Sequence, residues 1–227
     1  MPSRISVIIP AFNEEQSIAL VIAALPQNQI HEIIVVDNNS TDNTARFAYE
    51  KGARVVEEKR KGYGSACLKG ISELDNPDIV VFLDGDFSDY PEEIFHLVSP
   101  IEFGNMDFVL GSRMILPESR LALLPQSRYG NQLAVLLIRL FFHHQYTDLG
   151  PFRAIRYKSL KSIGMQDTNF GWTVEMQIKA VQKGLRILEV PVKYRDRIGV
   201  SKITGTISGS IKAGTKIIYT IFRYLLT

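Results

Sequence analysis

The chain has 227 residues, 45% hydrophobic and 22% charged. That balance excludes a disordered, collagen-like or low-complexity protein and leaves one domain or two small ones, with material for a sizeable core. The formal net charge of +2 hides a division: residues 1–113 carry 9 Lys/Arg against 18 Asp/Glu, and residues 114–227 carry 17 against 6. An acidic half is joined to a basic half, and different ionic partners are expected for each.

Met1 to Arg4 lead directly into Ile5–Ile9, an apolar run too short for the core of a signal peptide. Ser6–Pro10 reads as a strand, Ile18–Leu25 as part of a helix, Glu32–Asp37 as a buried strand and Thr41–Lys51 as a helix. Arg54–Glu57 is a short strand, followed by a glycine-bearing loop and a helix through Leu74. Asp78–Asp84 is the next strand and Pro91–Ile101 the next helix. Continuous apolar strands alternating with helices predict a parallel sheet covered on both faces, with a ligand beyond the carboxyl ends of its strands. Asn13 with Gln16, and Asp89 with Glu92, have capping-box spacing.

In the second half, Asp107–Ser112 is expected as a strand and Gln126–Phe142 as a long helix. Gly171–Lys183 is a further helix, Leu185–Tyr194 a strand, and Thr206–Leu226 a terminal helix. The longest apolar stretches, Leu133–Phe142 and Ile217–Leu226, are each interrupted by an arginine and fall short of the roughly 18–20 residues of a membrane span. One cysteine, Cys67, excludes an internal disulfide framework and a cysteine-rich zinc site, suits a reducing compartment, and is expected to pack. With no repeat and no linker, one domain over 1–227 is expected, with a nucleotide-type front half (1–113) and an elaborated back half (114–227).

The sharpest motif is Asp84-Gly85-Asp86, where a strand ends. Residues i and i+2 of an extended chain point the same way, so the two carboxylates can converge, and Gly85 leaves room for a ligand near the backbone. Such a pair suits Mg²⁺ or Mn²⁺ with phosphate oxygens completing the shell; a polar turn is the plainer alternative. Asp89 is open as a third ligand or a helix cap, and its spacing to Glu92 favours the cap.

Val7-Ile8-Ile9-Pro10-Ala11-Phe12-Asn13-Glu14-Glu15 resembles the opening signature of family 2 glycosyltransferases of the GT-A fold. Val35-Val36-Asp37-Asn38-Asn39-Ser40-Thr41-Asp42 is similar to their second signature, and Asp84-Gly85-Asp86 to their DxD. Gly111-Ser112-Arg113, Thr147-Asp148-Leu149-Gly150-Pro151-Phe152-Arg153, Val190-Pro191-Val192 and Arg197-Ile198-Gly199-Val200-Ser201-Lys202 resemble the dolichol-phosphate mannose synthase-like branch, which uses polyprenyl-phosphate acceptors. The resemblance implies a doubly wound, mostly parallel α/β sheet flanked by helices and a metal-dependent, inverting transfer of one sugar from a UDP- or GDP-linked donor to a polyprenyl phosphate. A hydroxyl or other small acceptor, and a nucleotide-sugar binding module without chemistry, stay open.

Carried over by position, Pro10, Phe12 and Glu14 would line the nucleoside pocket and Asp37 with Asn38 would contact base or ribose. Asn38 stands where relatives often carry a second aspartate. Asp84 and Gly85 would approach the nucleotide sugar, Asp84 and Asp86 would hold the metal with Ser88 beside them as a further ligand, and Arg113 would meet donor phosphate. Arg153, Arg197, Ser201 and Lys202 are the expected clamps on an acceptor phosphate.

A lipid phosphate is already ionised and needs cations, whereas a hydroxyl needs a general base. Asp148 and Glu175 are the candidate bases, with a loop turn and an i,i+4 pair to Lys179 as their plainer roles. The terminal helix is amphipathic: Ile207, Ile211, Ile218, Phe222 and Leu225 recur at helical spacing, with Lys212, Lys216 and Arg223 on another face. It is expected either to lie on an anionic membrane or to pack on the domain. The expected location is cytoplasmic, peripheral on the membrane face. No interleaved aromatic-basic motif points to nucleic acid.

Overall fold

The structure, a computed structural model, describes residues 3–199 and 207–225, the side chains of 207–211 excepted. Seven strands form one sheet: β1 (Ile5–Ala11), β2 (Glu32–Asp37), β3 (Arg54–Glu57), β4 (Ile79–Phe82), β5 (Phe108–Ser112), β6 (Arg153–Arg156) and β7 (Ile187–Pro191). Their order is β3-β2-β1-β4-β6-β5-β7, so both halves of the chain contribute to the same sheet. Neighbours pair in parallel except β6, which runs antiparallel to β4 and to β5.

Helices cover both faces: α1 (Ile18–Ala24), α2 (Thr44–Glu50), α3 (Tyr63–Ser72), α4 (Ile94–Glu102), α5 (Pro117–Ala122), α6 (Pro125–Phe142), α7 (Tyr157–Ile163), α8 (Trp172–Gln182) and α9 (Ile207–Leu225). Strand alternation splits the core in two even where the strands are apolar throughout. Val7, Ile9, Val35 and Val81 pack with α1 and α4, while Ile8, Ile34, Val36, Val80 and Phe82 pack with α3, α6 and α8. Cys67 is buried in the second of these layers, as its helical setting predicts.

Three elements escape the sequence reading: α5, α7 and β6. β6 is four residues, Arg-Ala-Ile-Arg, with no run of apolar residues to mark it. Arg156 is accommodated by carbonyls that only the assembled fold brings near, and Arg153 by carbonyls just before it in the chain together with that of Thr173. Arg153 donates to Leu149 and Gly150, and Arg156 to Ile101 and Met106.

Both expected capping boxes are corrected. Asn13 has φ of +54° and its Oδ1 accepts the Thr41 backbone N–H at 2.8 Å, joining two loops instead of capping α1, which starts after Ser17. Asp89 does not cap either. Pro91 follows Tyr90 at the first position of a short 3₁₀ turn (Pro91–Glu93), removing one of the amides a cap would bond. The Asp89 carboxylate instead turns inward, 1% exposed, with neither oxygen hydrogen-bonded. Burial pushes its pKa well above the ordinary carboxylate range, and the charges of Asp84 and Asp86 add to the rise against the opposing pull of Arg113.

Helix α9 packs rather than standing off: it lies against α6 and α8, with Thr220, Ile221 and Tyr224 buried. Phe222 and Leu225 remain about 40% exposed. The expected helix ends Thr206 and Leu226, and the side chains of Ile207 and Ile211, lie outside the described residues.

Candidate active site

The chain reverses its direction of travel across the sheet between β1 and β4, which opens a crevice at their carboxyl ends. Two loops there are laced together. Asp42 accepts the Glu15 backbone N–H at 3.2 Å, Glu15 accepts that of Asn43 at 3.1 Å, and the Thr44 hydroxyl accepts that of Glu14 at 2.8 Å. This lacing shortens the expected helix from Thr41 to Thr44, because Thr41 and Asp42 are used in the loop.

A cleft of about 330 Å³ lies over this end of the sheet. It brings together Pro10, Phe12, Glu14, Asn38, Asp84, Gly85, Asp86 and Arg197 of the expected site. The sequence reading did not name Lys61, Tyr63, Asn169 and Phe170, which line it too. Lys61 Nζ stands 5.2 Å over the Phe12 ring. Asn38 lines the cleft without a side-chain group to spare: its Nδ2 donates to the carbonyls of Glu58 and Arg60, and its Oδ1 accepts the Gly62 N–H. It therefore shapes the 58–62 loop. Asp37, one residue earlier, keeps Oδ1 buried without a hydrogen-bond partner.

The loop of residues 167–169 closes against α3 at two glycines. Gly62 has φ of +143°, and a Cβ on Gly64 would fall 2.1 Å from the Asp167 carbonyl oxygen. Gly64→Ala is accordingly expected to cost about 2–3 kcal/mol of stability, seen as a lower denaturant midpoint at unchanged m. The shape of the cleft should change as well, since residues 169 and 170, which line it, must shift.

Asp84 lies just beyond the end of β4, and its Oδ1 accepts the Tyr63 hydroxyl at 3.0 Å. Burial, then the neighbouring Asp86 charge, push the Asp84 carboxyl up to about 7. Asp86 accepts the Ser88 backbone N–H at 3.0 Å and its hydroxyl at 2.5 Å on one oxygen, and meets Arg197 Nη1 at 3.2 Å on the other. Arg197 Nη2 reaches Glu14 at 2.7 Å. Arg195 secures this segment from behind, stacked 3.6 Å from the Phe87 ring centre and donating to the Phe87 and Asp89 carbonyls.

A carboxylate pair crowded enough to raise one pKa is chemically suited to a divalent cation. Among the described residues no group of three or more His, Cys, Asp or Glu has metal-holding geometry, so a cation on this pair would leave ligand positions for water or a bound substrate. Ser88 is 1% exposed, and its hydroxyl orients Asp86 from behind. The structure thus gives it a supporting place, not the ligand's place expected of it.

A second cleft, about 420 Å³, meets the first along Tyr63, Asp84, Asp86, Phe170 and Arg197. Its other walls include Arg113, Asn131, Tyr194, Asp196, the start of α6, and Ala213, Gly214 and Ile217 of α9. Two lobes joined at a carboxylate pair give a donor and an acceptor each a side from which to reach one point.

Three expected roles are corrected here. Asp148 is fully buried: Oδ2 accepts Arg113 Nε at 2.7 Å and the Arg113 backbone N–H at 2.9 Å, and Oδ1 accepts Arg113 Nη2 at 2.8 Å and the Leu149 N–H at 2.7 Å. It has no free oxygen to receive a proton from an acceptor. Burial alone would lower the Arg113 pKa, but the Asp148 charge and hydrogen bonds raise it above its ordinary value. Glu175 is also fully buried, accepting the backbone N–H groups of Gln166 and Asp167, the Tyr224 hydroxyl at 2.6 Å and Lys179 Nζ at 2.7 Å. It ties α8 to α9 and includes the expected pair with Lys179. Arg153 has no surface, and its donors go to the carbonyls of Leu149, Gly150 and Thr173, so it cannot clamp an acceptor phosphate.

The expected acceptor residues Ser201 and Lys202 lie outside the described residues. What the sequence reading missed is the scaffold of the 147–150 loop. Glu189 accepts the Thr147 and Asp148 N–H groups, Gln177 donates to the Asp148 carbonyl, and Asn131 bonds both Thr147 and Leu149.

The arrangement is a cleft at a sheet switch point that meets a second cleft at a carboxylate pair. The family described as "Glycosyl transferase family 2" matches residues 6–164, and the chain belongs to it. It is 36% identical over 210 residues to an uncharacterised glycosyltransferase of Mycobacterium tuberculosis, covering 92% of this chain and 94% of the relative. It is 30% identical to the undecaprenyl-phosphate mannosyltransferase of Micrococcus luteus, with 91% and 90% covered. With the dolichyl-phosphate hexose transferase of Haloferax volcanii it shares 32% identity, with 88% and 86% covered. In fold it is similar to the crystal structure of glucosyl-3-phosphoglycerate synthase from M. tuberculosis in complex with Mn²⁺, UDP and phosphoglyceric acid. That likeness has a TM-score of 0.81 at 23% identity, over 98% of this chain and 78% of that one. The GT-A fold expected from the motifs is the fold observed.

Proposed function

We propose that the protein is a single-domain, divalent-cation-dependent glycosyltransferase that moves one sugar from a nucleotide-sugar donor to a polyprenyl phosphate, inverting the anomeric carbon. The observation that carries the acceptor class is the sealing of Asp148 and Glu175. Neither carboxylate can take a proton from a hydroxyl, whereas the second cleft presents Arg113, Arg195 and Arg197. An acceptor phosphate oxygen attacks the anomeric carbon as the bond to the nucleoside diphosphate breaks. The products are a sugar phosphodiester and the free diphosphate, and no proton needs to be removed.

Pro10, Phe12 and Lys61 receive the nucleoside; Asp37 is assigned to base or ribose from the motif alone. Asp84 and Asp86 would hold Mg²⁺ or Mn²⁺, which neutralises charge developing on the leaving diphosphate. Arg197, held between Glu14 and Asp86 where the lobes meet, orients phosphate oxygens; Ser201 and Lys202 are assigned to the acceptor side from the motif alone. The setting is the cytoplasmic face of a membrane. No helix among the described residues is long and apolar enough to cross one.

The second reading is transfer to a hydroxyl, favoured by exposed Asp196 on the wall of the acceptor cleft. UDP- and GDP-sugars offered with Mg²⁺ or Mn²⁺, and either a short-chain polyprenyl phosphate or a hydroxyl acceptor such as a phosphoglycerate, separate the two. Transfer to the lipid phosphate, little changed in Asp196→Asn, is the expected result. Transfer to the hydroxyl alone, lost in Asp196→Asn, would overturn it.

A further inference from the structure

Helix α6 presents its core face through Asn131, Ala134 and Ile138. On the opposite side Tyr129, Leu133, Leu136 and Leu140 recur at helical spacing and are 72%, 46%, 58% and 61% exposed. Isolated surface leucines are ordinary, but a contiguous stripe opposite a helix's buried face calls for a partner. The adjoining α9 continues the surface: Phe141 of α6 meets Phe222 at 5.5 Å between ring centres, and Phe222 is itself 43% exposed. Of the fourteen large hydrophobic side chains exposed among the described residues, nine belong to α5, α6, α9 or the residue opening α6.

On the two helices that form the stripe the charge is of one sign. Helices α6 and α9 contain five basic residues, Arg128, Arg139, Lys212, Lys216 and Arg223, and no aspartate or glutamate. Arg139, Lys212 and Arg223 are exposed, while Lys216 turns inward to Asp167 at 2.7 Å. A second copy bound by a twofold axis would set this basic surface against itself. An anionic bilayer offers both an apolar layer for the stripe and opposite charge for its flanks.

We infer that the outer faces of α6 and α9 are a docking surface for an anionic lipid bilayer, with Tyr129, Leu133, Leu136 and Leu140 entering the interface. This rests on the proposed lipid acceptor and deepens it. The first turns of α6, through Gln126, Ser127 and Gly130, line the acceptor cleft, so the stripe runs outward from that cleft along one rigid helix. The surface expected on the terminal helix alone is thereby moved, with α6 supplying most of the apolar contact.

The test is flotation of the full chain with vesicles of equal parts phosphatidylglycerol and phosphatidylcholine, against phosphatidylcholine alone. Binding to the anionic vesicles that weakens with salt is expected. The double variant Leu133→Gln, Leu136→Gln should reduce it by about tenfold or more. Neither leucine lines the clefts, so the same variant should keep the wild-type thermal midpoint and its transfer to a short-chain, water-soluble polyprenyl phosphate. No flotation of wild type, undiminished flotation of the folded variant, or a wild-type dimer in light scattering that the variant makes monomeric would each overturn the assignment. Vesicle binding through the stripe without any transfer to polyprenyl phosphate would leave the surface standing and remove only the acceptor reading.

Discussion

Asp148→Ala should be the most damaging single substitution for stability, lowering it by about 3–5 kcal/mol. The carboxylate is fully buried and receives four hydrogen bonds, three of them from Arg113. Removing it strands a guanidinium that is only 14% exposed, together with two amide donors, and the penalty is that of a buried charge without its partner. Asp148→Asn keeps the shape and part of the bonding, so it should fall between wild type and Asp148→Ala. Urea denaturation followed by circular dichroism measures both. A folded Asp148→Ala protein with wild-type midpoint and lost turnover would instead restore Asp148 as a base in the reaction.

Asp86→Ala should have the largest effect on activity, lowering kcat by about a thousandfold or more, which is about 4 kcal/mol of transition-state stabilisation. On the proposed reading two things are lost together: a carboxylate that holds the cation, and the partner that keeps Arg197 at the junction of the lobes. Chelation by EDTA should silence the wild type to the same degree, with activity restored by Mg²⁺ or Mn²⁺. Asp86→Ala should show no such restoration. Stability should change little, because the deleted group leaves a crowded carboxylate neighbour, Asp84, relieved of like charge. Unchanged kcat in Asp86→Ala would remove this carboxylate from the cation site, and chelator-resistant wild-type activity would remove the cation itself.

Much of the donor side was legible before the structure because it depends on local order. Pro10, Phe12, Glu14, Asn38, Asp84, Gly85 and Asp86 all lie at or just past the carboxyl ends of apolar strands, and in a doubly wound sheet those ends converge. The family motifs singled these residues out, and the strand order explains why they meet in one crevice. The acceptor side was far less legible. Asp148, Arg153 and Glu175 are polar residues whose roles depend on burial, and composition cannot say whether a carboxylate faces a substrate or a neighbouring arginine. Asp89 failed as a cap for a local reason that was present in the sequence, the proline two residues on.

The alternation of strands and helices in the first half, and the Asp84-Gly85-Asp86 triplet where a strand ends, were set by the sequence alone, because hydrophobic period and turn chemistry act over a few residues; the family was marked by motif resemblance. Only the tertiary structure decided that Arg-Ala-Ile-Arg is an antiparallel strand inside the sheet, between β4 and β5, with its arginine donors met by backbone carbonyls. It alone decided that Asp148 and Glu175 are sealed, and that the apolar stripe of α6 faces outward. Those outcomes depend on desolvation and on partners far away in the chain, and neither is written into local pattern.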